Sequence, residues 1–174
     1  NKYSVTEKAD GERFLLFVDR VGGLNLISRG LEITRWKIGS KPDYANTVLD
    51  GEYVGDTFYA FDILFLKGKD LRQQTLKPRL RALESVNMGS KMKMKRFIMD
   101  ENIYKAAGKI WEKRGNFPYE LDGLIFTPVD EPYFNRNILK WKDENTIDFY
   151  YNGKQLFIAG FDKAKTNYQV FPFG

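Results

Sequence analysis

The sequence of 174 residues contains neither cysteine nor histidine. The absence of cysteine excludes disulfide bonds and thiolate chemistry, and the absence of histidine removes the usual general base and the commonest zinc ligand. Any bound metal must therefore be held by oxygen atoms, which favours Mg²⁺ or Mn²⁺ bridged to substrate phosphates. The sequence also lacks an apolar run near the roughly 20 residues that cross a bilayer, and its first residues lack the pattern of a signal peptide. We therefore expect a soluble, intracellular protein without a membrane partner.

The composition is that of a globular protein, with 43% hydrophobic residues and no repeat or low-complexity tract. This length and composition predict one domain that covers residues 1–174. The net charge is +5, from 28 Lys and Arg against 23 Asp and Glu. Such an excess is compatible with a polyanionic partner but is too small to establish one.

Strand-like runs dominate both ends of the chain. Runs 14–20 and 24–28 flank a Val-Gly-Gly turn, and runs 48–54 and 57–66 flank a Gly-Asp turn. Both pairs are predicted to form antiparallel hairpins.

Two helices are predicted in the middle of the chain. The first covers about 77–88 with Pro78 in its first turn, and the second begins at a capping Asp100 and continues to about Arg114. The predicted apolar stripe of the second helix consists of Ile103, Ala106, Ala107, Ile110 and Trp111. The fold class is therefore α+β, with largely antiparallel sheets flanked by helices.

Residues 8–13 read Lys-Ala-Asp-Gly-Glu-Arg directly after a β-prone run. A lysine in such a position can serve as a nucleophile if the site favours its neutral amine through desolvation, neighbouring cations or a metal ion. The alternative is that Lys8 and Arg13 are exposed charges that flank an Asp-Gly hairpin. The hexapeptide alone does not decide between the two interpretations.

Two further motifs lie on the predicted strands. Because side chains alternate along a strand, Asp50 and Glu52 share one face, where Glu52 could reach a ribose hydroxyl or a metal. Within the aromatic run 58–62, Phe61 is the preferred ring for stacking a purine, while the other rings are assigned to the core. An exposed polar face and plain core packing are the respective alternatives.

An acidic strand and a lysine strand follow later in the sequence. Asp122, in Asp-Gly-Leu-Ile-Phe, precedes a very apolar strand and is the candidate metal carboxylate. Lys140 and Lys142 lie on one strand face with Trp141 opposite. Two neighbouring cations repel each other, so both would point inward only if a polyanion such as a phosphate chain lay between them. Otherwise both point to solvent.

Together these motifs resemble the covalent nucleotidyltransferase superfamily, which comprises mRNA capping guanylyltransferases and polynucleotide ligases. The lysine loop, acidic strand, aromatic strand, second acidic strand and double-lysine strand occur in the order of that superfamily, from Lys8 to about Phe149. Within it, the stretches 122–128, 131–133, 139–142 and 145–149 resemble the capping-enzyme branch, and most of all the capping enzymes of large DNA viruses. The run 92–97, Met-Lys-Met-Lys-Arg-Phe, resembles a capping-enzyme strand in which Lys93 and Lys95 share one face; its alternative is an amphipathic strand with exposed lysines.

The resemblance implies a reaction in two steps. Lys8 attacks the α-phosphorus of GTP to form a lysyl-GMP intermediate, and GMP is then transferred to the 5′-diphosphate end of an RNA. It also implies that Arg13 and Glu52 hold the ribose and that Phe61 stacks on the guanine. Arg29 would lie near the sugar or phosphate, Asp122 and also Glu52 would serve a Mg²⁺ or Mn²⁺ ion, and Lys140 and Lys142 would bind the α-phosphate. The nucleotide-binding residues implied by the resemblance are Arg13, Arg29, Glu52, Phe61, Lys140 and Lys142.

Members of this superfamily continue into an OB-fold domain, which we do not find here, so we expect the sequence to be a fragment of a larger chain. A viral source would place it in the host cytoplasm, with triphosphatase and methyltransferase domains as further partners. Three alternatives remain. The first is the adenylylation domain of an ATP-dependent RNA or DNA ligase, and the second is a non-catalytic RNA-binding module of the same fold. The third is a structural domain of a larger polymerase-associated assembly.

Overall fold

A computed structural model describes residues 2–99, 102–134 and 137–144, together with the backbone of three strands between 149 and 171; residues 37 and 38 are described by their backbone alone. The helices are α1 (Leu76–Glu84) and α2 (Ile103–Glu112). The strands are β1 (Tyr3–Ala9), β2 (Glu12–Val18), β3 (Gly23–Ile27), β4 (Ile33–Ser40), β5 (Thr47–Val54), β6 (Thr57–Leu66), β7 (Lys69–Asp70), β8 (Met92–Met94), β9 (Leu121–Pro128), β10 (Leu139–Lys142), β11 (Phe149–Tyr151), β12 (Leu156–Gly160) and β13 (Asn167–Phe171).

A large sheet has the strand order β4-β3-β2-β5-β6-β7, with β8 added in parallel to β6. Both predicted hairpins are confirmed within it, because β2 pairs with β3 and β5 pairs with β6, each in antiparallel fashion. Gly55 adopts φ +63° in the two-residue turn of the second hairpin, a conformation that glycine reaches at little cost.

A small antiparallel sheet has the order β1-β9-β10. The turn at Asp10-Gly11 does not close a hairpin, since β1 belongs to the small sheet and β2 to the large one. The hairpin interpretation of residues 8–13 is therefore wrong. The turn instead carries the chain from one sheet to the other and places Lys8 at the junction between them.

Helix α1 starts close to its predicted position, but it ends at Glu84 rather than near 88. Its buried leucines, Leu76, Leu80 and Leu83, join the main core against the large sheet, together with Leu16, Leu49 and Phe58. Burial of this apolar face, rather than helix propensity alone, stabilises so short a helix.

Helix α2 packs on the small sheet, where Ala106 and Ile110 meet Val5 and Leu124 in a second core. The predicted apolar stripe is thus confirmed. The side chain of Asn102 accepts hydrogen bonds from the first turn and caps the helix. The predicted cap, Asp100, lies outside the described residues.

The chain divides into two compact units, residues 1–142 and 143–174. The second unit contains the antiparallel sheet β11-β12-β13. The observed mixture of largely antiparallel sheets with two helices confirms the α+β class. Assignment of residues 1–174 to a single domain stays a prediction. Among the described residues, no helix has the length and apolar character needed to cross a membrane.

Candidate active site

A cleft of about 930 Å³ opens within the first unit, between the small and the large sheet. Its walls include Thr6 and Ile125 from the small sheet and Asp50 and Asp62 from the large one. Six of the predicted site residues also line the cleft, namely Lys8, Arg13, Arg29, Glu52, Phe61 and Lys140. Residues separated by more than 130 positions in the sequence thus come together.

Lys8 lines this cleft beside the two remaining predicted residues, Asp122 and Lys142. Its Nζ donates to Oδ2 of Asp122, and Nζ of Lys142 lies 3.2 Å from the same oxygen. Burial raises the pKa of Asp122, but the hydrogen bonds from Lys8 and Lys142 outweigh this effect and hold the pKa below its ordinary value. Asp122 is therefore ionised at neutral pH and holds two lysine ammonium groups together.

A β-bulge aims Asp122 at Lys8. Lys8 pairs with Gly123 and Ala9 pairs with Leu121, so that Asp122 is the extra residue between them. Gly123 adopts φ +147°, and a Cβ atom there would lie 1.9 Å from the carbonyl oxygen of Trp141. Only glycine fits this position, which explains why the acid is followed by glycine.

Gly11 allows the lysine turn to lie directly against β5. A Cβ atom at Gly11 would lie 2.6 Å from a methyl group of Val54 and 2.8 Å from Cγ of Glu52. On the other side of Lys8, the backbone N–H of Asp10 donates to the carbonyl of Glu120 at 3.0 Å. The turn is thus fixed against both sheets.

Arg13 makes a bidentate ion pair with Asp50, whose side chain is fully buried. Nε and Nη2 of Arg13 donate to the two carboxylate oxygens at 2.9 and 2.5 Å. The hydroxyl of Tyr133 donates to Oδ2 of Asp50 at 2.7 Å. The hydrogen bond to Asp50, against some cost of burial, raises the pKa of Arg13. Burial, together with the Asp50 charge, raises the pKa of Tyr133, so the tyrosine remains a donor at all ordinary pH values.

Glu52 is held by Lys95, whose side chain is only 1% exposed. Nζ of Lys95 donates to Oε2 of Glu52 at 2.9 Å and to the backbone carbonyl of Glu7 at 3.4 Å. The buried carboxylate of Glu7 in turn accepts hydrogen bonds from Thr6 and Tyr119. This network joins β5 to the strand that carries Lys8. The interpretation of Lys95 as an exposed lysine is therefore wrong, whereas Lys93 is exposed.

Phe61 is the half-buried ring of the aromatic strand, and it faces the cleft. The guanidinium of Arg13 and the ammonium of Lys95 lie 5.8 and 6.0 Å from its centroid. Phe58 and Tyr59 are buried, as predicted. The ring of Phe58 fills the space beside Gly51, so this glycine admits a core ring rather than a ligand.

The lysine strand has the predicted alternation. Trp141 packs edge-to-face on Trp111 of α2 at 4.9 Å, away from Lys142 and its partner Asp122. Lys140 is exposed along the cleft, and so is Arg29 in the loop between β3 and β4. Neither side chain has a recorded ion-pair partner within the described part of the chain.

A preformed metal cage is absent from the described residues, because no group of three or more acidic side chains converges there. The donor set nevertheless suits a Mg²⁺ ion that arrives with phosphates, since such ions are often held by one or two protein carboxylates. Both lysines use Oδ2 of Asp122, which leaves Oδ1 for an ion. Glu52 is already paired with Lys95, so its metal role stays a prediction.

Sequence reasoning missed several residues of the site. Tyr133 lay within a noted motif but received no role, and no periodicity marks it. Asp50 was placed beside Glu52 by the alternation of strand side chains, but its partner Arg13 was not foreseen. The buried acid Glu7 is adjacent to Lys8 and had no signal of its own.

The profile of the family described as mRNA capping enzyme, catalytic domain, matches residues 1–144. A probable mRNA-capping enzyme of Acanthamoeba polyphaga mimivirus is 26% identical over 230 residues, which cover 89% of this chain and 20% of the viral protein. The mRNA-capping enzyme of African swine fever virus is 32% identical over 166 residues, 84% of this chain and 18% of that protein. The chain thus spans about a fifth of the length of these two relatives. The predicted likeness to capping enzymes of large DNA viruses is confirmed.

Capping enzymes of cellular organisms are also similar to the chain. The mRNA-capping enzyme subunit alpha of Saccharomyces cerevisiae is 28% identical over 199 residues, 84% of this chain and 42% of the yeast protein. Among solved structures, a mycobacterial DNA ligase D complexed with ATP and MES has a TM-score of 0.66 at 19% identity, covering 95% of this chain and 64% of the ligase. That likeness shows the nucleotidyltransferase fold alone. The family match over residues 1–144 establishes that the chain belongs to the mRNA capping enzyme catalytic domain family.

Proposed function

We propose that this domain is an mRNA guanylyltransferase that uses Lys8 as its nucleophile. In the first step, Nζ of Lys8 bonds to the α-phosphorus of GTP, the bond to pyrophosphate breaks, and the amine loses a proton. In the second step, an oxygen of a 5′-diphosphate RNA end bonds to the same phosphorus. The nitrogen–phosphorus bond then breaks, and Lys8 regains a proton. One difficult transfer is thus divided into two easier ones.

The position of Lys8 is the observation that carries the proposal. Its side chain is 18% exposed at the wall of the cleft, and its Nζ is oriented by Asp122. Asp122 accepts a hydrogen bond from Nζ through Oδ2 and so fixes the direction of the amine, and because its pKa is held below the ordinary value it stays ionised and does not keep the proton that leaves Lys8. Lys142 shares that oxygen and adds a positive charge where an α-phosphate would lie.

The remaining cleft residues would bind the nucleotide. Arg13 and Glu52 hold the ribose, and the ring of Phe61 stacks on the guanine. Lys140 and Lys142 bind the α-phosphate as point charges. Arg29 faces the sugar or the phosphates from the opposite wall.

Asp122 would also hold a Mg²⁺ or Mn²⁺ ion through Oδ1. When bound, such an ion neutralises charge on the phosphates and makes the phosphorus easier to attack. Asp122 thereby orients Lys8 through one oxygen and serves the ion through the other.

The partners that accompany this function remain proposals. They are GTP, a 5′-diphosphate RNA end, an OB-fold domain, and triphosphatase and methyltransferase domains. The much greater length of the viral capping enzymes supports further domains in those proteins.

The second candidate is an ATP-dependent ligase adenylylation domain, favoured by the fold likeness to a DNA ligase. The two functions differ in the base of the nucleotide. The viral and yeast relatives described above are named capping enzymes, at 26–32% identity, whereas the ligase likeness is one of fold at 19% identity. This difference supports GTP, and not ATP, as the nucleotide that the chain uses.

Labelling with α-phosphate-labelled GTP or ATP separates the candidates. The chain is incubated with either nucleotide and Mg²⁺ or Mn²⁺ and then denatured. We expect label from GTP alone, its loss in Lys8→Ala, and its retention in the matched control Lys93→Ala, because Lys93 is exposed outside the cleft. Label from ATP alone would assign the chain to the ligases. A lack of label from both nucleotides would favour a non-catalytic module.

A further inference from the structure

We infer that Tyr133 is a positioning residue that sets Arg13 for contact with a ribose hydroxyl, and that it thereby contributes to the selection of nucleotides that carry that hydroxyl. The inference rests on the proposed function, because it requires a nucleoside triphosphate in the cleft.

Tyr133 and Arg13 share one acceptor. Oδ2 of the buried Asp50 accepts from Nη2 of Arg13 at 2.5 Å and from the hydroxyl of Tyr133 at 2.7 Å, and Nη2 lies 3.3 Å from that hydroxyl. Oδ1 accepts from Nε of Arg13 at 2.9 Å. Three donors therefore fix both oxygens of Asp50, and the plane of the guanidinium is fixed with them.

The orientation leaves one edge of Arg13 for a ligand. Nε and Nη2 are bound to Asp50 and Tyr133, while Nη1 has no recorded acceptor among the described residues. The side chain of Arg13 is 44% exposed along the cleft, and its guanidinium lies 5.8 Å from the ring of Phe61. A nucleoside whose base stacks on Phe61 would therefore present its sugar close to this edge.

The loop that carries Tyr133 is itself anchored to α1 and to the segment between β7 and α1. The backbone N–H of Tyr133 donates to the carbonyl of Arg72 at 2.9 Å. Nη1 of Arg79 donates to the carbonyl of Glu131 at 3.3 Å, and its guanidinium lies 5.9 Å from the Tyr133 ring. Arg79 is fixed by a bidentate pair with the buried Asp62.

Because of these anchors, Tyr133 can restrict the position of other side chains as well as fill space. A hydroxyl held by a fixed loop restricts Asp50, and through it restricts Arg13, before any ligand arrives. Such preorganisation lowers the entropic cost of binding. Its benefit reaches only the ligand group that Arg13 touches, which is a ribose hydroxyl.

The test compares equilibrium binding of GTP, 2′-deoxy-GTP and 3′-deoxy-GTP to the chain without divalent ions. Tyr133→Phe removes only the hydroxyl. Tyr44→Phe is the matched control, because its hydroxyl also joins backbone groups, of Ser85 and Asn87, but lies outside the cleft. We expect Tyr133→Phe to weaken GTP binding about 5- to 10-fold, which is the usual net effect of one hydrogen bond. In Tyr133→Phe, the affinity for the analogue that lacks the contacted hydroxyl should change less than twofold. Tyr44→Phe should leave the affinities for all three nucleotides unchanged.

Equal weakening of all three nucleotides, or no weakening, would overturn the inference. A double-mutant cycle adds a readout that a structural role would not give: in Arg13→Lys, the further change Tyr133→Phe should leave ribose selectivity unchanged. A wild-type chain that selects ribose yet forms no lysyl-GMP would refute the proposed function and retain this inference. Failure of the wild type to bind GTP would overturn both.

Discussion

Lys8 and Asp122 lie on neighbouring antiparallel strands, and their side chains form an ion pair because a bulge inserts Asp122 opposite the pair Lys8 and Ala9. In a regular ladder, Asp122 would pair with Ala9, and its side chain would point to the face of the sheet opposite that of Lys8. The nucleophile and its acid are thus aligned by backbone geometry, which Gly123 permits.

We predict that Gly123→Ala destabilises the protein and misaligns Asp122. The new Cβ would meet the backbone of Trp141 at a positive φ, so we expect a loss of about 2–4 kcal/mol in the free energy of unfolding. Gly108→Ala in α2 is the matched control, because nothing lies within 4 Å of its added Cβ. That control should gain about 0.5–1 kcal/mol. Urea unfolding measures both, and equal effects would refute the prediction.

Lys95→Met should lower the free energy of unfolding far more than Lys93→Met does. Lys95 neutralises Glu52 in a buried pair, and removal of one partner from such a pair costs about 3–5 kcal/mol. Lys93 is exposed two residues earlier, on β8, so its replacement should change stability by less than about 0.5 kcal/mol. Denaturant unfolding of the two variants provides the comparison. Similar losses in both would show that the Lys95 pair contributes little.

Substitution of Phe61 should affect nucleotide binding, whereas substitution of Phe58 should affect stability. Phe61→Ala is expected to weaken GTP binding by about 1–3 kcal/mol, the usual value of stacking one base on an aromatic side chain. Phe58→Ala, at a fully buried ring, should instead lower the free energy of unfolding by about 3–5 kcal/mol. Calorimetric titration and urea unfolding measure the two effects. Unchanged GTP affinity in Phe61→Ala would remove the stacking role.

The pKa of Asp70 should report on the position of Arg72. A side-chain hydrogen bond from Arg72 lowers this pKa to about 2, and the guanidinium lies between the rings of Phe65 and Phe134 near the Tyr133 loop. Because the folded-state pKa is depressed, the pair stabilises the protein above the ordinary pKa of about 4. This contribution is lost as the pH falls from about 4 to 2. NMR titration should show a clear rise of this pKa in Arg72→Gln, short of the ordinary value because the backbone N–H of residue 72 still donates to Oδ1, and an unchanged pKa in that variant would contradict the assignment.

The sequence predicted the parts of the fold that depend on local chemistry. Alternation along strands placed Asp50 beside Glu52 and Lys142 opposite Trp141, and the apolar spacing of α2 predicted the face that is buried. The motif order predicted the family.

The contacts between the two sheets could not be predicted in this way. The Asp10-Gly11 turn has the same local chemistry whether it closes a hairpin or crosses between sheets. Lys95 alternates with methionines as an exposed lysine would, and only the approach of β8 to β6 brings it to Glu52. Tyr133 reaches Asp50 across 83 residues of sequence, through a loop without periodicity.

The most direct test of the account locates the covalent intermediate. The chain is incubated with GTP and Mg²⁺, denatured and digested, and the peptides are analysed by mass spectrometry. The account predicts GMP on Nζ of Lys8, with no adduct in Lys8→Ala. GMP on Lys140 or Lys142, or the absence of any adduct in a chain that binds GTP, would contradict it.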